Sequence, residues 1–355
     1  MYRKSLQRPW RHHGASLSTS SPGRPWVVRQ ELMSRTLPIA YDYLQPQPSH
    51  LLNLTLADLH PKLKLNFRDT SLPSTEHIRR LPVGHHLVYF PPQVPLSELL
   101  PDGTDVLHSP GKPYTRRLWA GGRVRFKKSG GPYLQGKRAA CVETIRDVIG
   151  KGDWPKTQIT VKIERRIGLV HNGQTDESTR SRLFKEDEED FGNSVIIENR
   201  DIVFLPTKSQ EQLKEDKENF GLGERYIKPP QDPEFSLPIT PTKALLFRFS
   251  ALTFNAHSIH LDQNYTQNIE GYRNLLVHGP LTLALMLTAL QNHFVKRMLV
   301  VQEIQYKNLI PLFVDEKMRI CGKPQLSTEG NWDVWIENKD GGLAVRGTVQ
   351  TGSMI

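Results

Sequence analysis

Cysteine is nearly absent: Cys141 and Cys321 are the only two among 355 residues. Two thiols cannot build a disulfide framework or a cysteine-rich metal site, and their scarcity fits a reducing compartment. Long apolar runs are lacking too. No stretch reaches the roughly 18 uninterrupted apolar residues of a membrane span. The longest, around Leu281–Leu290, carries threonines and is followed by Gln291, Asn292 and His293, so it reads as a buried helix. Acidic residues are missing from the first thirty positions, the first being Glu31. Arg3, Lys4, Arg8, Arg11, Arg24 and Arg29 therefore supply six of the ten net positive charges, leaving +4 for the rest of the chain. Those remaining basic groups are dispersed among acids, and no zinc-finger or basic–aromatic repeat occurs, so no nucleic-acid partner is expected.

The acid-free start also contains Ser5, Ser16, Ser18, Ser20 and Ser21. Spaced arginines and serines without acids have the composition of an organelle transit peptide, and a mitochondrial location is the expectation. An apolar core of about 7–15 residues, which a secretory signal needs, is not there. Pro9, Gly14, Pro22 and Pro25 interrupt amphipathic helicity in the segment. The length suits two domains. The division expected is a presequence over 1–30, an N-terminal domain over 31–235 and a C-terminal domain over 236–355.

In the first part, Leu51, Leu52, Leu54, Leu56 and Leu59 form an amphipathic pattern ended by Pro61, and a proline-rich stretch follows over His86–Pro95. Strand-like alternation then marks Arg117–Phe126, Ala139–Ile149, Gln158–Val170 and Ser194–Leu205. The charged run from Gly173 to Asp190 reads as a solvated, mobile loop, and Lys208–Asn219 with Pro229, Pro230 and Pro233 as a linker. The pattern then restarts. Thr242 is placed to cap a helix using Leu245, Leu246, Phe249 and Leu252, and Pro280 to open the helix Leu281–Val295. That helix is apolar on most sides and must be wrapped by other structure. Strand-like runs follow at Arg297–Tyr306, Leu312–Cys321, Trp332–Asn338 and Gly342–Thr351. A buried helix followed by antiparallel strands is an α+β layout. Its double occurrence implies a duplicated unit whose first copy is degraded.

The chemistry is concentrated in Arg248–Asp262 and Glu270–Pro280. His260 can exchange a proton near neutrality. Asn255, five residues earlier, cannot ionise but can orient a water or hydroxyl. The Gly279 N–H stands at a helix N-terminus, where it can meet a carbonyl oxygen gaining negative charge. A base, an orienting amide and an oxyanion donor suit removal of water from a 3-hydroxyacyl thioester, or the reverse.

Asn255, His260 and His278-Gly279 stand in the spacing of the MaoC-like hot-dog hydratases, and the chain resembles that family. Trp119–Phe126 and Leu87–Leu99 extend the resemblance to its two-domain members, the mitochondrial 3-hydroxyacyl-thioester dehydratases type 2 and the mesaconyl-C4-CoA hydratases, over about Leu81 to the C-terminus. The resemblance implies a double hot-dog fold, an antiparallel sheet around a central helix in two copies. It further implies His260 as the base and Gly279 as the oxyanion donor, with no cofactor and no metal. It implies an acyl thioester substrate on acyl carrier protein or coenzyme A, a place in mitochondrial type II fatty acid synthesis, and an assembly compatible with a homodimer. The single-domain hydratases usually have Asp where Asn255 stands. Gly84-His85-His86 lacks the order and context of the motif, so the N-terminal half is expected to be a catalytically silent wall of the acyl pocket.

Plainer readings compete. A lone loop histidine usually makes one structural hydrogen bond. His257 and His260 share an H-x-x-H spacing, but a zinc site would want a definite third ligand. His278 is expected to anchor its loop, and Asp262 to cap locally. Arg248, Tyr272, Arg273 and His278 are the candidate substrate-binding residues, the arginines because carriers bring phosphate and negative charge. A CoA-thioester hydratase of the mesaconyl type and a non-catalytic acyl-thioester-binding protein are the alternatives.

Overall fold

A computed structural model describes residues 25–353, apart from 64–70, 78, 129–130, 153–156, 221 and 223–224. Most of the expected presequence lies outside the described residues. Its last six residues fall in helix α1 (Pro25–Met33), which packs Val28 and Leu32 against the sheet beside Ile145, Val148 and Ile159.

Among the described residues, ten strands form one antiparallel sheet. They are β1 (Ala40–Tyr43), β2 (Arg116–Phe126), β3 (Arg138–Lys151), β4 (Gln158–Leu169) and β5 (Ile196–Leu205), then β6 (Phe235–Ile239), β7 (Leu299–Asn308), β8 (Met318–Pro324), β9 (Asn331–Glu337) and β10 (Leu343–Ser353). Their spatial order is β1-β3-β4-β5-β2-β7-β10-β9-β8-β6. The second five repeat the first five in mirror order, and β2 pairs with β7 at the centre, with Val124 opposite Ile304. This is the double hot-dog fold.

In the second half Thr242 accepts a hydrogen bond from the Leu245 N–H and caps helix α5 (Lys243–Thr253). The apolar run becomes helix α7 (Gly279–Val295), with Leu281, Leu283, Leu285, Leu287, Leu290 and Phe294 fully buried. Burying each such side chain contributes about 1.5–3 kcal/mol, so the helix is held by what surrounds it. The first half has α2 (Pro46–Leu56) where the second has α5. Between α2 and β2 the described residues hold three 3-10 turns, Pro61–Leu63, His85–Val88 and Leu96–Glu98, and no α-helix like α7.

Two expectations need correction. The charged run 173–190 is neither structureless nor loose. It contains helix α3 (Asp176–Leu183), capped by Thr175. Buried Arg166 donates to the carbonyl oxygens of Asp187 at 3.1 Å, Glu188 at 3.2 Å and Asp190 at 2.5 Å. Glu189 pairs with Arg123 at 2.6 Å and with Arg125 at 2.9 Å. The acidic side chains are exposed, but strand arginines clamp the backbone beneath them. The stretch read as a linker likewise holds helix α4 (Gln210–Glu218), with a capping box between Ser209 and Gln212.

Candidate active site

The catalytic loop runs from the end of α5 to the start of α7. Phe254 leaves α5 in the left-handed region (φ 52°), and the Asn255 N–H then donates to the Ser250 carbonyl at 2.8 Å. Asn255 Oδ1 accepts the His257 N–H at 3.0 Å, a local turn that commits its oxygen. A 3-10 turn, Ser258–His260, delivers His260 to the interior. Asp262 caps the short helix α6 (Gln263–Asn268) by accepting the Tyr265 N–H.

His260 Nδ1 lies 2.7 Å from the Leu276 carbonyl oxygen. A carbonyl only accepts, so Nδ1 carries the proton, and Nε2 is the lone-pair nitrogen of the neutral ring. Burial pushes the imidazole down to about 4; the Leu276 hydrogen bond raises it, and the Arg117 charge lowers it. His260 is therefore neutral and able to take a proton at neutral pH. The His278 ring stacks on it at 3.6 Å, and His278 Nε2 is held 2.8 Å from Ser250 Oγ. Burial, followed by the neighbouring His260 and His257, keeps His278 well below its ordinary value.

Gly279 opens α7, with Pro280 behind it. A Cβ on Gly279 would sit 2.8 Å from Trp119 Cβ and 2.9 Å from Asn308 Nδ2, so only glycine lets β2 close over the helix N-terminus. Trp119 is fixed there. Its indole N–H donates to the Tyr306 hydroxyl at 2.6 Å, and its carbonyl accepts from Asn308 at 2.8 Å.

Asn255, His257, His260 and Gly279 all line one cavity of about 840 Å³. Exposed Leu96, Phe247 and Phe254 belong to its wall and form an apolar rim. Its floor belongs to the first half and is charged. Asp105, His108, Arg117, Glu143, Arg165 and Arg200 line it. Arg165 bonds Glu143 at 2.6 Å and Glu198 at 3.0 Å; Arg200 bonds both oxygens of Glu198 at 2.8 and 2.9 Å. Burial works against the ionised form of Glu143, yet the Arg165 charge overrides it and holds that carboxyl well below its usual range.

The four candidate substrate-binding residues are placed elsewhere. Arg248 is exposed on α5 and is not part of the cavity wall. Arg273 is committed to Glu316 at 2.6 Å and lies over the Phe313 ring, and Tyr272 packs on the same phenylalanine. His278 supports His260 from behind rather than lining the space. Sequence reasoning missed Asp102, Arg117 and Trp119, which the first half brings to the catalytic loop. The Asp102-Gly103 pair is a turn signal, but nothing local says what the turn meets. Among the described residues, no group of three or more His, Cys, Asp or Glu side chains is arranged to hold a metal ion, and no helix is long and apolar enough to cross a membrane.

Fold and cavity together define a double hot-dog protein with a buried imidazole beside a helix N-terminus. Comparison with known proteins agrees. A family model described as hydroxyacyl-thioester dehydratase type 2 matches residues 84–314. A mesaconyl-C(4)-CoA hydratase of Chloroflexus aurantiacus is 31% identical over 77% of this chain and 84% of its own. A mitochondrial hydroxyacyl-thioester dehydratase type 2 of Schizosaccharomyces pombe is 27% identical over 83% and 91%. A solved MaoC-like dehydratase of Phytophthora capsici superposes with a TM-score of 0.58 at 11% identity, covering 91% of this chain and 97% of that one, which bears on the fold alone. This chain belongs to the hydroxyacyl-thioester dehydratase type 2 family, and it is an enzyme of the hydro-lyase class.

Proposed function

We propose that the enzyme dehydrates (R)-3-hydroxyacyl thioesters to trans-2-enoyl thioesters, with His260 as the proton carrier. The observation that carries this is the opening of His260 and the first residue of α7 onto one cavity. His260 Nε2 takes the C2 proton. The thioester oxygen, gaining charge, is met by the Gly279 N–H, which has no partner within the helix and sits at the positive end of its dipole. The imidazolium then returns the proton to the C3 hydroxyl, which leaves as water. The Asn255 amide, whose Oδ1 accepts the His257 N–H, donates an N–H to the C3 oxygen. As an amide it holds that oxygen without competing as a base. Hydration is the same path reversed.

Acyl carrier protein is the carrier we favour, in mitochondrial type II fatty acid synthesis. The relatives named mitochondrial and the acid-free first thirty residues support this. Deleting residues 1–24, which leaves α1 intact, should strand the protein in the cytosol; continued import would reject the presequence. One observation favours a second reading, hydration of a mesaconyl-type CoA thioester: the charged floor would suit an acyl group with a polar far end. The deciding experiment is a spectrophotometric assay of the purified enzyme on matched acyl-carrier-protein and CoA thioesters. Faster turnover of the 3-hydroxyacyl-carrier substrate is expected. Preference for a dicarboxylic CoA thioester would select the second reading, and turnover of neither would leave only acyl-thioester binding.

A further inference from the structure

A turn of the N-terminal half, Leu100–Thr104, lies against the catalytic loop. The Ser258 N–H donates to the Asp102 carbonyl oxygen at 2.8 Å. Gly103 is in the left-handed region (φ +82°), and a Cβ there would collide with the Ala256 carbonyl, so the two backbones touch. The turn is braced internally: the Thr104 N–H and hydroxyl donate to Asp102 Oδ1 at 2.9 and 2.6 Å. The other carboxylate oxygen, Oδ2, is left facing His257 Nε2 at 3.5 Å. Asp102 and His257 are both only 5% exposed, and Nε2 has no hydrogen-bond partner of its own. Among the described residues, Asp102 is the carboxylate within 4.0 Å of a histidine of this loop.

We propose that Asp102, supplied by the half expected to be silent, is a positioning residue of the active site that acts through His257. This rests on the dehydratase reading above. A carboxylate can only accept, so it fixes the His257 proton on Nε2. Nδ1 is then the acceptor that can face the cavity His257 lines, with the ring 5.5 Å from that of His260. There it accepts the hydrogen of the C3 hydroxyl while the Asn255 amide donates to the same oxygen. The hydroxyl lone pair is thereby turned toward the proton on His260. The chain thus regains, from another domain, a carboxylate near the loop in which Asn255 is an amide.

The test is steady-state kinetics of Asp102→Asn, His257→Gln and the double variant on a 3-hydroxyacyl thioester, with wild type alongside and folding checked by circular dichroism. Each single variant is expected to lose about 10-fold or more in kcat with KM changed by less than about 3-fold. The double variant should be no worse than His257→Gln, since one residue works through the other. If Asp102→Asn does not fold, Asp102→Ser takes its place, keeping an acceptor for Thr104 while falling short of His257. A His257→Gln or folded Asp102 variant with wild-type kcat overturns the proposal, as do losses that multiply in the double variant. A wild-type enzyme inert on both carrier forms overturns the dehydratase reading and this proposal with it; an active wild type with unaffected variants overturns this proposal alone.

Discussion

The two halves share a strand order but present opposite inner faces. In the second half, the row across β8, β9 and β10 is Ile320, Ile336 and Val345, each opposite the next. In the first, a row across β3, β4 and β5 is Glu143, Arg165 and Glu198, beside the apolar row Cys141, Ile167 and Ile196. The apolar row demands a cover, and α7 provides it. The charged row covers itself, because each group finds its counter-charge on the neighbouring strand. Glu143 and Arg165 of that row line the cavity. One half supplies the helix N-terminus and the imidazole; the other supplies room, Trp119 over Gly279, and Asp102 against the loop.

This division can be broken at the seam. Gly279→Ala should push β2 off the start of α7, since the added Cβ meets Trp119 and Asn308 within 3 Å. If the Gly279 N–H serves the oxyanion, kcat should fall by about 10²–10³-fold. A variant with normal turnover would detach the helix N-terminus from the chemistry.

The rows themselves can be compared. Glu198→Leu removes the carboxylate that Arg200 bonds and one of the two that Arg165 bonds, and should cost about 3–5 kcal/mol in urea unfolding, the usual result of removing one partner of a buried pair. Ile336→Val in the opposite row should cost about 0.5–1.5 kcal/mol. Equal effects would mean that the charged row does not depend on its pairing.

Acid should act on both halves through buried neutral histidines. Burial lowers His85 to about 3, His86 to about 4 and His260 to about 4, and keeps His257 and His278 well below their ordinary value. The unfolded chain takes up these protons first. The stabilisation is therefore complete above about pH 6.5 and is lost as pH falls, by roughly 1 kcal/mol per histidine per pH unit down to each folded value. Depressed carboxylates such as Glu143 add their losses only below about pH 4.5. A urea midpoint that stays flat between pH 6.5 and 5 would contradict this.

The smallest effect should be long-range. Arg117, on the floor, lowers His260 across the cavity. Arg117→Met should move the acid limb of kcat/KM upward by less than about one pH unit. An unmoved limb would show that the floor does not tune the base.

What the sequence disclosed follows the range of the forces involved. Local signals were legible: the Thr242 cap, Pro280 at the start of α7, and the alternation of eight strands. Asn255, His260 and Gly279 could be picked out together because they lie within 25 positions, and the structure brings all three to one cavity. The contribution of the first half was not. Arg117 and Asp102 reach the catalytic loop only through pairing of β2 with β7 and through a glycine turn, neither of which leaves a periodic trace. Arg273 misled because a basic residue near a motif looks the same whether it faces a carrier or, as here, Glu316. The clamp on residues 187–190 was hidden because its arginines sit on strands far away in the chain.

The most direct measurement is turnover of a 3-hydroxyacyl thioester by His260→Ala beside wild type, with circular dichroism confirming that the variant is folded. The account predicts a loss of about 10²–10⁴-fold, the usual contribution of a positioned acid–base group. A folded variant within a few-fold of the wild-type rate would contradict it and return the histidine to the role of a buried structural residue.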